Sequence, residues 1–268
     1  MQPPRPSPRP IHGRAHLRFV AVLAAFGAVL FAAVPRSEAA SPDQLGDAEA
    51  KTEYAYFTED RPALEHLVVE LKFFAGSRDA LELYVFAHAQ FRRLQLAATA
   101  HAPHVAEDAG NACLAALDRR GAALDHDAEA LTLAAGCSGY LAALGGLKRL
   151  TAGHRRDSSL EAARGLMPAN PRVLLTVGIL GWFDAPTPAA KAQARAAFTR
   201  AATLFDRVSE TKPGEPTWGG AEAWLFVGCG LEEDGNLVGA RNAYERSLLI
   251  APDFAAARRR LARLSGHH

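Results

Sequence analysis

The histidines beyond residue 39 are His66, His88, His101, His104, His126, His154, His267 and His268. Hydrolytic zinc chemistry asks for two histidines one helical turn apart with a carboxylate beside the first, and no HExxH occurs. Pro103 separates His101 from His104 and starts a new helix, so the two are not expected to share a face. Phosphate transfer would need a Gly-Lys-Ser/Thr loop and acyl transfer a Gly-x-Ser-x-Gly elbow; the chain has neither. Gly145-Gly146 and Gly219-Gly220 border helices with no strand before them, so they cradle no dinucleotide. The acidic run Glu232-Glu233-Asp234 stands before Gly235 and reads as a solvated turn. Catalytic, metal and cofactor roles are therefore assigned to no residue. The candidates left are aromatic: Tyr84 with His88 one turn on, Trp182 and Phe183 at a helix end, and Trp218 in a connector. Side chains of this kind anchor partner peptides. The competing reading of Trp182 and Trp218 is that they pin their loops to the helices.

The elements that would position these residues are all helical. Apolar residues recur at three- and four-residue steps, and strand-type alternation is nearly absent. Start and stop signals place helices near 43–57, 61–75, 78–101, 103–120, 126–148, 156–167, 171–183, 187–208, 219–234, 237–250 and 253–264. Pro62, Pro103, Pro171, Pro188 and Pro252 fall at or just before predicted starts, where a missing N–H costs nothing.

One stretch carries a recognisable period. Trp224, Gly228, Ala240, Tyr244 and Pro252 stand at spacings of 4, 12, 4 and 8 residues, the spacing of a tetratricopeptide repeat. Gly228 and Ala240 let two helices approach, Trp224 and Tyr244 fill the space around them, and Pro252 ends the unit. The clearest repeat is 221–254, with a capping helix over 253–264 whose arginines form a solvated face. Leu174, Val177 and Gly178 with Ala194, Phe198 and Ala201 read as another unit, its halves spread by the loop Phe183–Pro188. Weaker matches at Leu160, Ala163 and Pro168 and at Ala109, Cys113 and Ala116 bring the expected number to three to five. The predicted fold is all-α: a right-handed α-solenoid over 77–268, with helices of 40–76 packed on it. Insertions in such arrays often face the ligand, which draws notice to Phe183–Pro188 and Thr211–Gly220.

The N-terminus reads as an export signal. Arg5, Arg9, Arg14 and Arg18 precede the apolar run Phe19–Val34, and Ser37-Glu38-Ala39 offers a cleavage site after Ala39. The run has 16 residues, short of the ~20 of a membrane-spanning helix. The alternative is an uncleaved N-terminal anchor; no Cys follows the run to carry a lipid. Removing residues 1–39 takes away five Arg and one Glu and leaves 25 basic against 28 acidic residues, a balance that argues against nucleic acid. Of Cys113, Cys137 and Cys229, the first two fall on neighbouring predicted helices. They form either a staple or, with Cys229, a set of small buried residues.

The segment Met167-Pro168-Ala169-Asn170-Pro171-Arg172-Val173-Leu174-Leu175, the loop Phe183-Asp184-Ala185-Pro186-Thr187-Pro188, and Pro216-Thr217-Trp218-Gly219-Gly220-Ala221-Glu222-Ala223 resemble a group of exported bacterial tetratricopeptide-repeat proteins of unassigned function. The resemblance covers roughly 125–264 and transfers no catalytic residue. The group's loop typically holds a Phe-Gly-Gly element, and here Ala185-Pro186-Thr187-Pro188 stands in its place. The expected function is a non-catalytic periplasmic scaffold that binds a protein or peptide on the concave face of the array, in the setting of an inner- or outer-membrane complex. The alternative is an accessory component of solute uptake that holds a small molecule.

Overall fold

The computed structural model describes residues 39–146, 149–207 and 215–265. The segment up to residue 38, which was expected to direct export, the first part of the Thr211–Gly220 connector and His267-His268 lie outside them. The described chain is all-α, with no strand among the described residues. Its helices are α1 (Pro42–Phe57), α2 (Arg61–Glu70), α3 (Ala80–Thr99), α4 (Pro103–Asp118), α5 (Ala128–Ala143), α6 (Arg149–Leu166), α7 (Pro171–Asp184), α8 (Pro188–Phe205), α9 (Gly220–Glu233), α10 (Leu237–Ile250) and α11 (Ala255–Ser265). None is long and apolar enough to cross a membrane.

Most starts are set by local chemistry. The side chains of Ser41, Asp60, Asp79, Asp127, Asn170, Thr187 and Asn236 each accept from a first-turn backbone N–H, satisfying donors that the helix itself leaves orphaned. Two expected helices are shorter than the sequence suggested. Over 61–75 the α-helix ends at Glu70 and tightens into a 3-10 turn, Leu71–Gly76, which turns Phe74 into the core. The helix expected from 126 starts at Ala128, after a second 3-10 turn, Gly121–His126, because Asp127 takes the cap. In the other direction, α6 begins at Arg149 rather than 156. At the end of α3 the chain turns through His101, whose φ is 54°, so His101 and His104 flank a turn and share no helix face.

Adjacent helices pack as pairs, α3 with α4, α5 with α6, α7 with α8 and α9 with α10, and α11 closes against α10. Small residues sit where axes come close. A Cβ on Gly228 would meet the Tyr244 ring, and one on Gly178 would sit 3.0 Å from the Ala194 carbonyl oxygen and the Phe198 backbone nitrogen. Cys113 of α4 and Cys137 of α5 are joined by a disulfide, so the staple is the reading that holds, while Cys229 is free and half-buried. Trp224 is not core, contrary to the repeat reading of the sequence. It stands half-buried, donates from Nε1 to Asp206 at 3.1 Å, and lies under Arg246. The arginines of α11 are paired with acids: Arg258 with Asp253, Arg259 with Glu59 and Arg260 with Glu232.

The far end of the chain returns to its beginning. α1 packs on α3, and Tyr56 and Phe57 at its end meet Phe254, before α11, at ring-centroid distances of 6.0 and 4.7 Å. Arg259 of α11 donates twice to the carboxylate of Glu59, in the turn after α1.

Candidate functional site

Charged side chains are expelled from helical cores unless paired, because burial removes their hydration. Two arginines here are nevertheless buried, and a polar centre is built around them. On α3, Tyr84, His88 and Arg92 follow at four-residue steps and so line one face. α1 lies against that face and brings Leu45, Ala48, Glu49, Thr52, Glu53 and Ala55 inward, a stripe with helical spacing.

Arg92 is the hub. It donates from Nε and Nη2 to the two Glu53 oxygens at 2.5 and 2.8 Å, from Nη1 to Gln95 at 2.9 Å, and from Nη2 to Glu222 of α9. Its guanidinium lies 3.9 Å from the centre of the Tyr56 ring, a cation–π contact away from water. Burial opposes its charge, but Glu222 and Glu53 outweigh that and push its pKa up. Burial likewise opposes ionisation of Glu53, yet Arg92 holds it down to about 2. In Glu222 burial prevails over Arg92, and its carboxyl is raised.

Glu49 behaves differently. Neither of its oxygens has a hydrogen-bond partner, and burial, reinforced by Glu53, raises its pKa to about 8. It is therefore a neutral acid inside the fold. His88 stands beside it, with Nδ1 3.9 Å from Glu49 and Nε2 3.2 Å from Glu53, neither aligned as a hydrogen bond. Burial holds His88 below its ordinary range, so the imidazole is neutral too.

Arg172, two residues after the cap Asn170, is the second buried arginine. It donates from Nε to the Trp218 carbonyl at 2.9 Å, from Nη2 to the Pro216 carbonyl, and from Nη1 to Glu129 at 3.1 Å, where Asn170 also donates at 2.6 Å. The connector before α9 is thereby tied to α5 and α7. Trp218 then donates from Nε1 to Tyr84 Oη at 2.8 Å and stacks on His88 at 5.9 Å. Thus Asn170-Pro171-Arg172 and Trp218-Gly219-Gly220-Ala221-Glu222 converge on one centre.

Of the residues singled out in the sequence, Tyr84, His88 and Trp218 come together. All three are buried, at 3%, 0% and 4% exposure, and with α1 seated they offer no surface to a partner. Trp182 and Phe183 are elsewhere: Trp182 packs on Phe198 with Lys191 over its ring, and Phe183, 73% exposed, meets Phe226 edge-on. Trp182 packs against the same apolar cluster that holds Trp218. A cleft of about 580 Å³ lies apart from both, lined by His104, Asn111, Leu114, Leu141 and Arg155 among others. Among the described residues no three His, Cys, Asp or Glu converge as metal ligands. Sequence reasoning missed Arg92, Arg172, Glu49 and Glu53. The available signal was the placement of Arg92 and His88 on a stripe whose flanks, Leu83, Ala87 and Phe91, are core. The chain matches no protein-family model, and no curated protein matches it.

Proposed function

We propose that the chain is an exported, non-catalytic scaffold of tetratricopeptide-like hairpins that binds a protein partner as a helix laid on the first helices of its pairs. One observation carries this reading: that face already holds a helix, α1, gripped by Arg92 through paired carboxylate bonds and by an aromatic contact. A surface that seats an amphipathic helix through a few buried anchors suits helix-in-groove recognition. The close approach of Gly228 to Tyr244 supports the repeat reading.

The test is affinity purification of the tagged mature chain from periplasm. A specific protein partner is expected; a co-purifying small molecule with no protein would sink the proposal. Export is tested by N-terminal sequencing of protein from the periplasmic fraction. A start after Ala39 is expected, and a start at Met1 refutes cleavage.

A further inference from the structure

We infer that the groove walled by α6 and α8 and floored by α7 binds an extended acidic peptide segment: one apolar side chain on the floor, flanked two residues before and two residues after by carboxylates that Arg164 and Arg200 hold. The groove has a volume of about 710 Å³. Neither α1 nor α3 contributes to its lining, so the inference is independent of the helix already seated on α3.

The charges of the walls carry it. On the same two helices Arg155, Arg156 and Arg195 are each paired with an acid, Asp118, Asp184 and Asp234. Arg164 from α6 and Arg200 from α8 line the groove, stand exposed, and have no acidic partner among the described residues. A guanidinium that no acid of its own chain engages is open to bidentate binding of a carboxylate. Between the walls, Leu174 and Val177 lie one turn apart on α7 and are only half-buried, so the floor keeps apolar surface for a ligand side chain to cover. Gln193 of α8 adds an amide that can both donate to and accept from a peptide backbone. Glu161 is the one acid in the lining; it weakens the attraction and disfavours a segment that is acidic at every position.

The order cation, apolar floor, cation selects an extended segment over a helix. Alternate residues of an extended chain point the same way at ~3.4 Å per residue, so the two carboxylates stand ~14 Å apart with the apolar residue between them. On a helix, side chains at i and i+4 are only ~6 Å apart, too close to reach walls that flank α7 at helix-packing distances of ~8–10 Å on each side.

The test is fluorescence anisotropy with the mature chain and the labelled peptide Gly-Ser-Asp-Ala-Leu-Ala-Asp-Ser-Gly. Saturable binding is expected, at least ~10-fold weaker when both Asp are replaced by Asn, and weaker again when salt rises from ~0.05 to ~0.5 M. Arg164→Gln and Arg200→Gln should each cost ~3-fold and together ~10-fold, while Glu161→Gln should tighten binding ~2-fold. All three side chains are exposed, and the opposite sign at Glu161 is an effect that loss of folding cannot produce. No saturable binding up to ~1 mM, equal affinity for the Asn peptide, or an unchanged double variant overturns the inference. So does binding of phosphatidylglycerol vesicles through both arginines with no preference between the two peptides. If the peptide fails and a protein is captured from periplasm, the scaffold reading stands and this inference falls. If the peptides bind in the expected order and only a small molecule co-purifies, the scaffold reading falls alone.

Discussion

Glu49→Gln is the substitution whose effect depends most sharply on pH. In the unfolded chain this carboxyl ionises near its ordinary value of 4.5; in the fold it stays protonated up to about 8. Between those values the native state holds a proton that the unfolded state has lost, so stability falls as pH rises. Below 4.5 both states are protonated and the effect vanishes; above about 8 both are ionised and it reaches its full size. The shift of about 3.5 units, at about 1.36 kcal/mol per unit, sets a ceiling of about 5 kcal/mol. Gln keeps the shape and cannot ionise, so the variant should match the wild type near pH 4.5 and exceed it progressively to pH 8. The groups that face Glu49 are Glu53 on its own helix, His88 and Arg92 on α3, Glu129 on α5 and Arg172 on α7. Other titrations run in the same range, with Glu222 raised and His88 lowered by burial, and subtracting the two chains' curves removes them to first order. Glu53, held down to about 2, acts in a separate window: its contribution is complete above 4.5 and is lost as pH falls toward 2. The assay is urea denaturation at pH 4.5, 6, 7 and 8. Parallel curves for the two chains would refute a neutral buried Glu49.

Arg92→Ala leaves Glu53 and Glu222 buried without their cation and should destabilise by about 3–5 kcal/mol in the same assay. Arg259→Ala removes an exposed pair and should change stability by less than about 1 kcal/mol, a contrast that separates buried from surface charge. Gly228→Ala forces a methyl group into the Tyr244 ring and should destabilise by about 1–3 kcal/mol, seen as a lower urea midpoint with unchanged slope. Reducing Cys113–Cys137 opens a loop with a sequence separation of 24 and should lower stability by about 3 kcal/mol, measured with and without reductant.

The helices were legible because their ends are chemical. Where a capping side chain and a proline coincide, as at Asn170-Pro171 and Thr187-Pro188, predicted and observed starts agree within a residue. Where neither is present, the boundary slipped. The first two turns of α6 read Arg149-Leu150-Thr151-Ala152-Gly153-His154-Arg155, with little apolar periodicity, and packing against α5 makes them helical all the same. The polar centre was illegible for a different reason. Periodicity assigns apolar residues to the core and charged ones to water, and Arg92 breaks that rule through Glu53 and Glu222, which lie 39 and 130 residues away. No local pattern reports such pairings.

The departures from the repeat drew attention as ligand-contacting loops, and their contacts give them another role. A set of helix pairs whose first and last elements meet must fix the offset between its third and fourth pairs. The connector before α9 does this by hydrogen bonding: its carbonyls accept from Arg172, its Trp218 donates to Tyr84, and Glu222, one turn on, accepts from Arg92. Gly219, at φ 107°, supplies the left-handed step that turns the chain into α9 against Phe205, where a Cβ would clash. A loop built this way resists deletion because three helices depend on it for satisfied polar groups. The Phe183 loop is braced at the surface, where Asp184 accepts from Arg156 at 2.6 Å and Thr187 caps the next helix, and its aromatic side chain stays largely exposed. The two departures are thus physically unlike, one a lock on closure and the other an exposed ring.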